Sequence, residues 1–274
     1  MTDVPTGQKE KYFLNTRPSD RAKPLTIALQ QAGWQVSEFP LLELLPLPLE
    51  EQDQIALSQL VEQPVNVIVV VSPTAARLGL AALADLNITP AQLNIRWLAV
   101  GLGTAKVLSD SGLHPEVPAL ESSEGLIASS ALSDLIPNEW VMVWRGIGGR
   151  ELVQECLLAR GVRLQVINLY TRQLPTQAQT LWTNDWFGHD ISSTSVQQIN
   201  KNDSFPHRVV LLSSGESWRY WKMLTGEAAL TPWLLVMGQR LMNELSNLTP
   251  KIRQLTSLKP EHILQVLAEI EHRE

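Results

Sequence analysis

The chain has 274 residues, 44% of them hydrophobic and 18% charged, which is the balance of an ordinary globular protein with room for two domains. A formal net charge of −6 without a basic tail or stripe argues against non-specific nucleic-acid binding, yet local amides and a few arginines could still hold an acidic ligand. A single cysteine, Cys156, excludes a disulfide framework and a thiolate metal cage, and its mid-helix setting suits a small packing residue.

Residues Met1–Lys11 are polar, read as a disordered lead-in, and carry no signal-peptide core. Tyr12 to Pro18 then reads as a strand ending in the polar corner Asn15-Thr16-Arg17-Pro18, followed by a helical pattern that Gly33 closes. Residues 34–39 alternate as a second strand would. Three prolines between Pro40 and Pro48 forbid a helix and mark an extended connector, the best domain boundary in the first half. The β-branched run Val65–Val71 has the near-continuous apolar character of a parallel strand covered on both faces, and it ends at Ser72-Pro73 before an Ala/Leu helix. This longest apolar run is far too short to span a bilayer.

Arg96–Val100 ends at Gly101-Leu102-Gly103-Thr104 and leads into a helix. The plan recurs with a strand at 140–144, the loop Arg145-Gly146-Ile147-Gly148-Gly149-Arg150, a helix over 150–160, Gly161 and a strand at 163–169. Tyr170–Pro175 resembles a second connector, and 176–207 is an irregular polar excursion that includes Trp182 and Trp186. Strands at 208–212 and 232–237 end at Ser213-Ser214-Gly215-Glu216 and Gly238-Gln239-Arg240, each with a helix behind, and Pro260 opens a last amphipathic helix. Segment 12–39 resembles 140–169, 67–84 resembles 209–224, and 97–112 resembles 233–248. Two copies of a three-unit α/β half with parallel sheets follow, with all six polar corners at strand carboxyl ends, where such sheets bind ligands.

Several chemistries drop out. Glu151 and Lys106 stand where a dinucleotide fingerprint needs its third glycine, and no P-loop ending or Gly-x-Ser-x-Gly elbow occurs. His114, His189, His207, His262 and His272 lack ligand spacing, so no metal is expected. Each corner alone could be a helix cap or loop former. Their shared placement across two lobes suggests instead a large anionic ligand in an interdomain cleft.

At these residues the chain resembles the uroporphyrinogen-III synthase family. The likeness rests on Asn15-Thr16-Arg17-Pro18, Val100-Gly101-x-x-Thr104-Ala105, the run from Arg145 to Leu152 with Gly161 and Tyr170 behind it, and Ser213-Ser214-Gly215-Glu216. It implies a HemD-like fold: two flavodoxin-like lobes with parallel sheets, joined by two extended connectors at about 40–48 and 170–175. One lobe would be 1–40 with 175–274, the other 45–169. It further implies a cofactor-free cyclising lyase that closes hydroxymethylbilane, a linear tetrapyrrole with eight carboxylates, to uroporphyrinogen III with inversion of ring D and loss of water. The enzyme would be a cytoplasmic monomer, receiving its substrate from the preceding enzyme of haem biosynthesis, with no nucleic-acid or membrane partner.

Tyr170 matches the position of the family's candidate proton donor, or else packs between lobes. Thr16, Arg17, Ser72, Gly103, Thr104, Arg145, Gly146, Arg150, Ser214 and Gly215 are the candidate substrate-binding residues. Arg145 and Arg150 have structural alternatives, as a brace for their own loop and as a partner of Glu151. Gly238-Gln239-Arg240 departs from the threonine corner of many members. The competing reading is a two-lobed module that binds a tetrapyrrole or small anion without turnover.

Overall fold

A computed structural model describes residues 11–149, 151–182 and 208–272. The expectations for the N-terminal lead-in, for Arg150, for Trp186 and for most of the polar excursion fall outside these residues. The chain divides into two compact units, one running to Glu43 and resuming at Gln173, the other Leu44–Arg172.

The first unit is built on five parallel strands: β1 (Tyr12–Asn15), β2 (Gln35–Glu38), β8 (Arg208–Leu212), β9 (Trp233–Met237) and β10 (Ile252–Leu255), in the order β10-β9-β8-β1-β2. The second holds β3 (Glu43–Pro46), β4 (Val67–Val70), β5 (Arg96–Ala99), β6 (Trp140–Gly146) and β7 (Arg163–Gln173), in the order β3-β7-β6-β4-β5. Pairings from β7 through β5 are parallel.

The central strands show why the sheets are covered on both faces. Along β4, Ile68 and Val70 enter one apolar cluster while Val67 and Val69 enter another. Along β8, Val210 and Leu212 face one cluster, and Val209 and Leu211 face the other. Successive strand side chains point to opposite faces, so a strand that is apolar at every position requires helices on both sides. All eight of these side chains are fully buried, each worth about 1.5–3 kcal/mol of transfer free energy.

The internal repeat reappears as matching strand orders. β9-β8-β1-β2 in the first sheet corresponds to β5-β4-β6-β7 in the second. Beyond β5, at the place that β10 occupies beside β9, Leu98 makes a parallel bridge to Glu116.

The segments expected as extended connectors are strand over part of their length. Glu43–Pro46 is an edge strand of the second sheet, where Pro46 is tolerated because an edge need not donate on both sides. Tyr170–Gln173 forms the last residues of β7, and the division between the units falls at Arg172/Gln173. A register shift between Arg145 and Gly146 keeps the ladder going, so that Gly146 pairs with Tyr170. Helix bounds are also tighter than expected behind the glycine loop, where the helix is Leu152–Ala159.

In the first unit, the end of β1 is tied down by a polar network. Asn15, fully buried, donates from Nδ2 to Ala22 O (3.1 Å) and Thr26 Oγ1 (3.0 Å), and Thr26 Oγ1 donates to Glu38 Oε1 at 2.6 Å. In the second unit, Trp144 is fully buried edge-on to Trp97, with centroids 5.3 Å apart, and its ring fills the space beside Gly79.

Candidate active site

The corner after β6 is shaped by its glycines. Gly148 and Gly149 have φ of +78° and +92°, a left-handed conformation that a side chain would resist. Their turn brings the Gly148 carbonyl back to Arg145, whose Nη2 donates to Gly148 O at 2.5 Å while Nε donates to Gly146 O at 3.2 Å. Arg145 is 7% exposed. Two of its donors thus go to its own loop, while the residue also lines a cavity.

Gly146 is required for a different reason. A Cβ there would come within 2.5 Å of Tyr170 Cζ, so the phenol ring lies flat against the glycine backbone. Tyr170 is 2% exposed, and its hydroxyl is held at two points. Ser72 Oγ lies 3.1 Å from Oη, and Arg172 Nη2 donates to Oη at 3.2 Å. The Arg172 guanidinium carbon also sits 5.3 Å from the Tyr170 ring centroid. A cavity of about 170 Å³ opens here, lined by Arg145, Gly146, Gly148, Gly149, Tyr170 and Arg172.

Ser72 does two things at once. Its Oγ accepts from Ala75 N at 3.0 Å, capping the helix Pro73–Asp85, and it reaches the phenol. Ser72, Arg145, Gly146 and Tyr170 therefore come together from three strand ends of one sheet. Arg172 belongs with them, though only Tyr170 was singled out on that strand.

The corner at Gly101 holds a carboxylate of the chain itself. Leu102 N, at the start of the helix Leu102–Ser109, donates to Glu121 Oε1 at 3.1 Å, and a Cβ at Gly101 would come within 2.6 Å of Glu121 Cδ. The carboxylate is taken by Leu102 N–H, beside the Gly103-Thr104 pair expected to bind substrate, while Thr104 N–H donates to Gly101 O at 3.1 Å. Gly103 is exposed beside this helix start and Thr104 is buried under it.

In the first unit, Thr16 is buried and donates from Oγ1 to Leu211 O, joining β1 to β8. Arg17 is half-buried and donates to Leu258 O at 3.5 Å; burial lowers its pKa, with the like charge of Arg21 adding to this and Asp20 opposing. Ser214 and Ser217 form a reciprocal capping box at the helix Gly215–Thr225, each accepting the other's backbone N–H at 3.0–3.1 Å. The exposed guanidinium of Arg240 lies over that helix start, with Nη2 2.5 Å from where a Cβ of Gly215 would be. A cation beside the positive end of a helix is a setting that favours an anion. Among the described residues no cluster of three or more His, Cys, Asp or Glu side chains could hold a metal.

Comparison with known proteins bears on the family and the fold. The family model described as uroporphyrinogen-III synthase HemD matches residues 23–250. A mutant uroporphyrinogen III synthase from the extremely thermophilic bacterium Thermus thermophilus superposes with a TM-score of 0.62 at 13% identity, covering 97% of this chain and 100% of that one. The uroporphyrinogen-III synthetase of Helicobacter pylori gives 0.54 at 14%, covering 95% and 99%. At such identities the two structures speak for the fold, and the family model speaks for kinship.

Proposed function

The chain belongs to the uroporphyrinogen-III synthase family and is a cyclising lyase of porphyrin biosynthesis, and from that premise we propose that Tyr170 is the proton donor of its reaction with hydroxymethylbilane. The observation that carries this is the buried phenol held between Ser72 and Arg172 on the wall of a cavity. Loss of the terminal hydroxyl leaves an electron-poor azafulvene, and hydroxide is a poor leaving group unless it departs as water. Tyr170 Oη gives its proton to that oxygen. The far pyrrole then attacks at its substituted carbon, and the spiro intermediate fragments and recloses with ring D inverted. The proton shed as the last pyrrole regains aromaticity returns to the phenol, so only water is lost. General acid catalysis of this kind is worth roughly 10²–10⁴-fold.

A leaving group that carries its own proton isolates this step. With an aminomethyl bilane, which departs as an amine from its ammonium form, Tyr170→Phe should cost little. An equal loss on both substrates would remove the phenol from the acid role.

The eight substrate carboxylates call for several anion sites, and the helix starts at Leu102 and Gly215, with Arg17 and Arg240, suit them. At Leu102 an incoming carboxylate would have to displace Glu121. Glu121→Gln keeps an acceptor but removes the competing charge, so KM should fall about threefold with kcat unchanged. An unaltered KM in steady-state assays would mean that no substrate carboxylate reaches Leu102 N–H. The same reading has the enzyme acting as a cytoplasmic monomer on substrate from the preceding step; no helix among the described residues is long and apolar enough to cross a membrane.

A further inference from the structure

We propose that Arg172 is a positioning residue, fixing the Tyr170 phenol in the orientation from which it donates. The inference rests on Tyr170 being the proton donor. Residues 170 and 172 lie two apart on β7 and so project from the same face of the sheet. The Arg172 guanidinium bonds Tyr170 Oη through Nη2 at 3.2 Å and reaches Ile147 O through Nη1 at 3.4 Å. It thereby links the phenol to the glycine loop that Arg145 braces from within.

Donor and acceptor identities decide what this does. A guanidinium has five donors, no acceptor and a permanent charge. The phenol therefore cannot give its proton to Arg172 and must accept from it. Ser72 Oγ already accepts from Ala75 N, and its own O–H can point at Oη. With Arg172 and Ser72 both donating, the acceptor positions of the phenol oxygen are filled and its proton is left for a ligand. As that proton leaves, the oxygen gains negative charge and the bond from the Arg172 cation becomes an ion pair and strengthens, so it favours the transition state over the ground state.

A purely structural role predicts something else. If Arg172 only braced the loop at Ile147, its loss would lower stability and change kcat and KM together, whether or not the phenol oxygen were present. The discriminating experiment is a double-mutant cycle on hydroxymethylbilane, reading kcat, KM and thermal unfolding for Arg172→Gln and Arg172→Lys, alone and with Tyr170→Phe. Arg172→Gln should lower kcat about tenfold with KM within about threefold, the loss of one charged hydrogen bond in the transition state. Arg172→Lys, which keeps the charge and one donor, should lose only about threefold. In the Tyr170→Phe background Arg172→Gln should cost less than about twofold, since its target oxygen is gone.

A wild-type kcat for Arg172→Gln overturns the inference. So does a loss confined to KM, or a full tenfold loss that persists beside Tyr170→Phe. A slow Tyr170→Phe with an additive Arg172→Gln defeats this inference and leaves the acid role standing. A fully active Tyr170→Phe defeats both. If the Gln variant fails to fold, the Lys variant in the same cycle gives the same decision.

Discussion

Tyr170→Phe should slow turnover of hydroxymethylbilane about a hundredfold while leaving KM and product affinity near their wild-type values. The substitution removes one oxygen and nothing else. The ring stays, so it still packs against Gly146 and stays under the Arg172 guanidinium. The partners it deserts, Ser72 and Arg172, are both half-exposed and can turn to water, which limits the stability cost to about 1 kcal/mol. A variant that unfolds near the wild-type temperature but turns over slowly is the expected outcome, checked by steady-state kinetics beside thermal unfolding. Wild-type kcat would show that water, not the phenol, protonates the leaving group.

Gly146→Ala should be the most disruptive single-methyl change in this corner. Gly146 does not have a positive φ, unlike Gly148 and Gly149, so the backbone itself accepts alanine and the effect is steric alone. The new Cβ would meet the Tyr170 ring, with Cζ at 2.5 Å. That ring is 2% exposed and tethered at its oxygen by Ser72 and Arg172, so it has nowhere to swing. Overpacking of this kind costs about 1–3 kcal/mol, or about 2–4 °C in the unfolding midpoint for each kcal/mol in a chain of this size. Displacing Oη by about 1 Å should lower kcat up to about a hundredfold, since catalytic geometry tolerates little error. Circular dichroism melting and turnover assays check the two effects together. Unchanged values of both would mean that the ring yields freely, and the idea of a fixed phenol would fail with it.

The parts of the fold that could be read in advance are those governed by local pattern. The runs around Val67–Val70 and Arg208–Leu212 are apolar at successive positions, and that alone demands a covered parallel strand. Gly33, Gly112 and Gly161 each follow a helix with positive φ, as a helix-ending glycine does. β10 was not legible, because the four residues of Ile252–Leu255 have half-exposed polar centres and too little length for a period to register. The helix Glu51–Ser58 is equally weak in apolar patterning, with only Asp53, Ala56 and Leu57 buried. The sequence pattern ends β7 at 169 because its far end turns polar, and the register shift at Arg145/Gly146 that lets pairing continue leaves no mark in composition.

The same limit governs the site. Ser72, Gly146 and Tyr170 were reachable because strand ends in a parallel sheet gather at one edge. Where an arginine's head group goes is another matter: four rotatable bonds carry it several ångströms from its Cα, so Arg145 turns back onto Gly148 O while Arg172 reaches forward to Tyr170. Arg172 would have been visible had β7 been extended, since its spacing from Tyr170 is the strand's own period. Glu121 and Arg240 carry no such clue, because neither lies on a strand and no strand period places their head groups.

The most direct measurement is the identity of the product. Freshly generated hydroxymethylbilane is incubated with the protein, and the uroporphyrinogen isomers are separated after oxidation. The type III isomer should form faster than spontaneous closure, with Tyr170→Phe shifting the mixture toward type I. Type I alone, at the rate seen without protein, would contradict this.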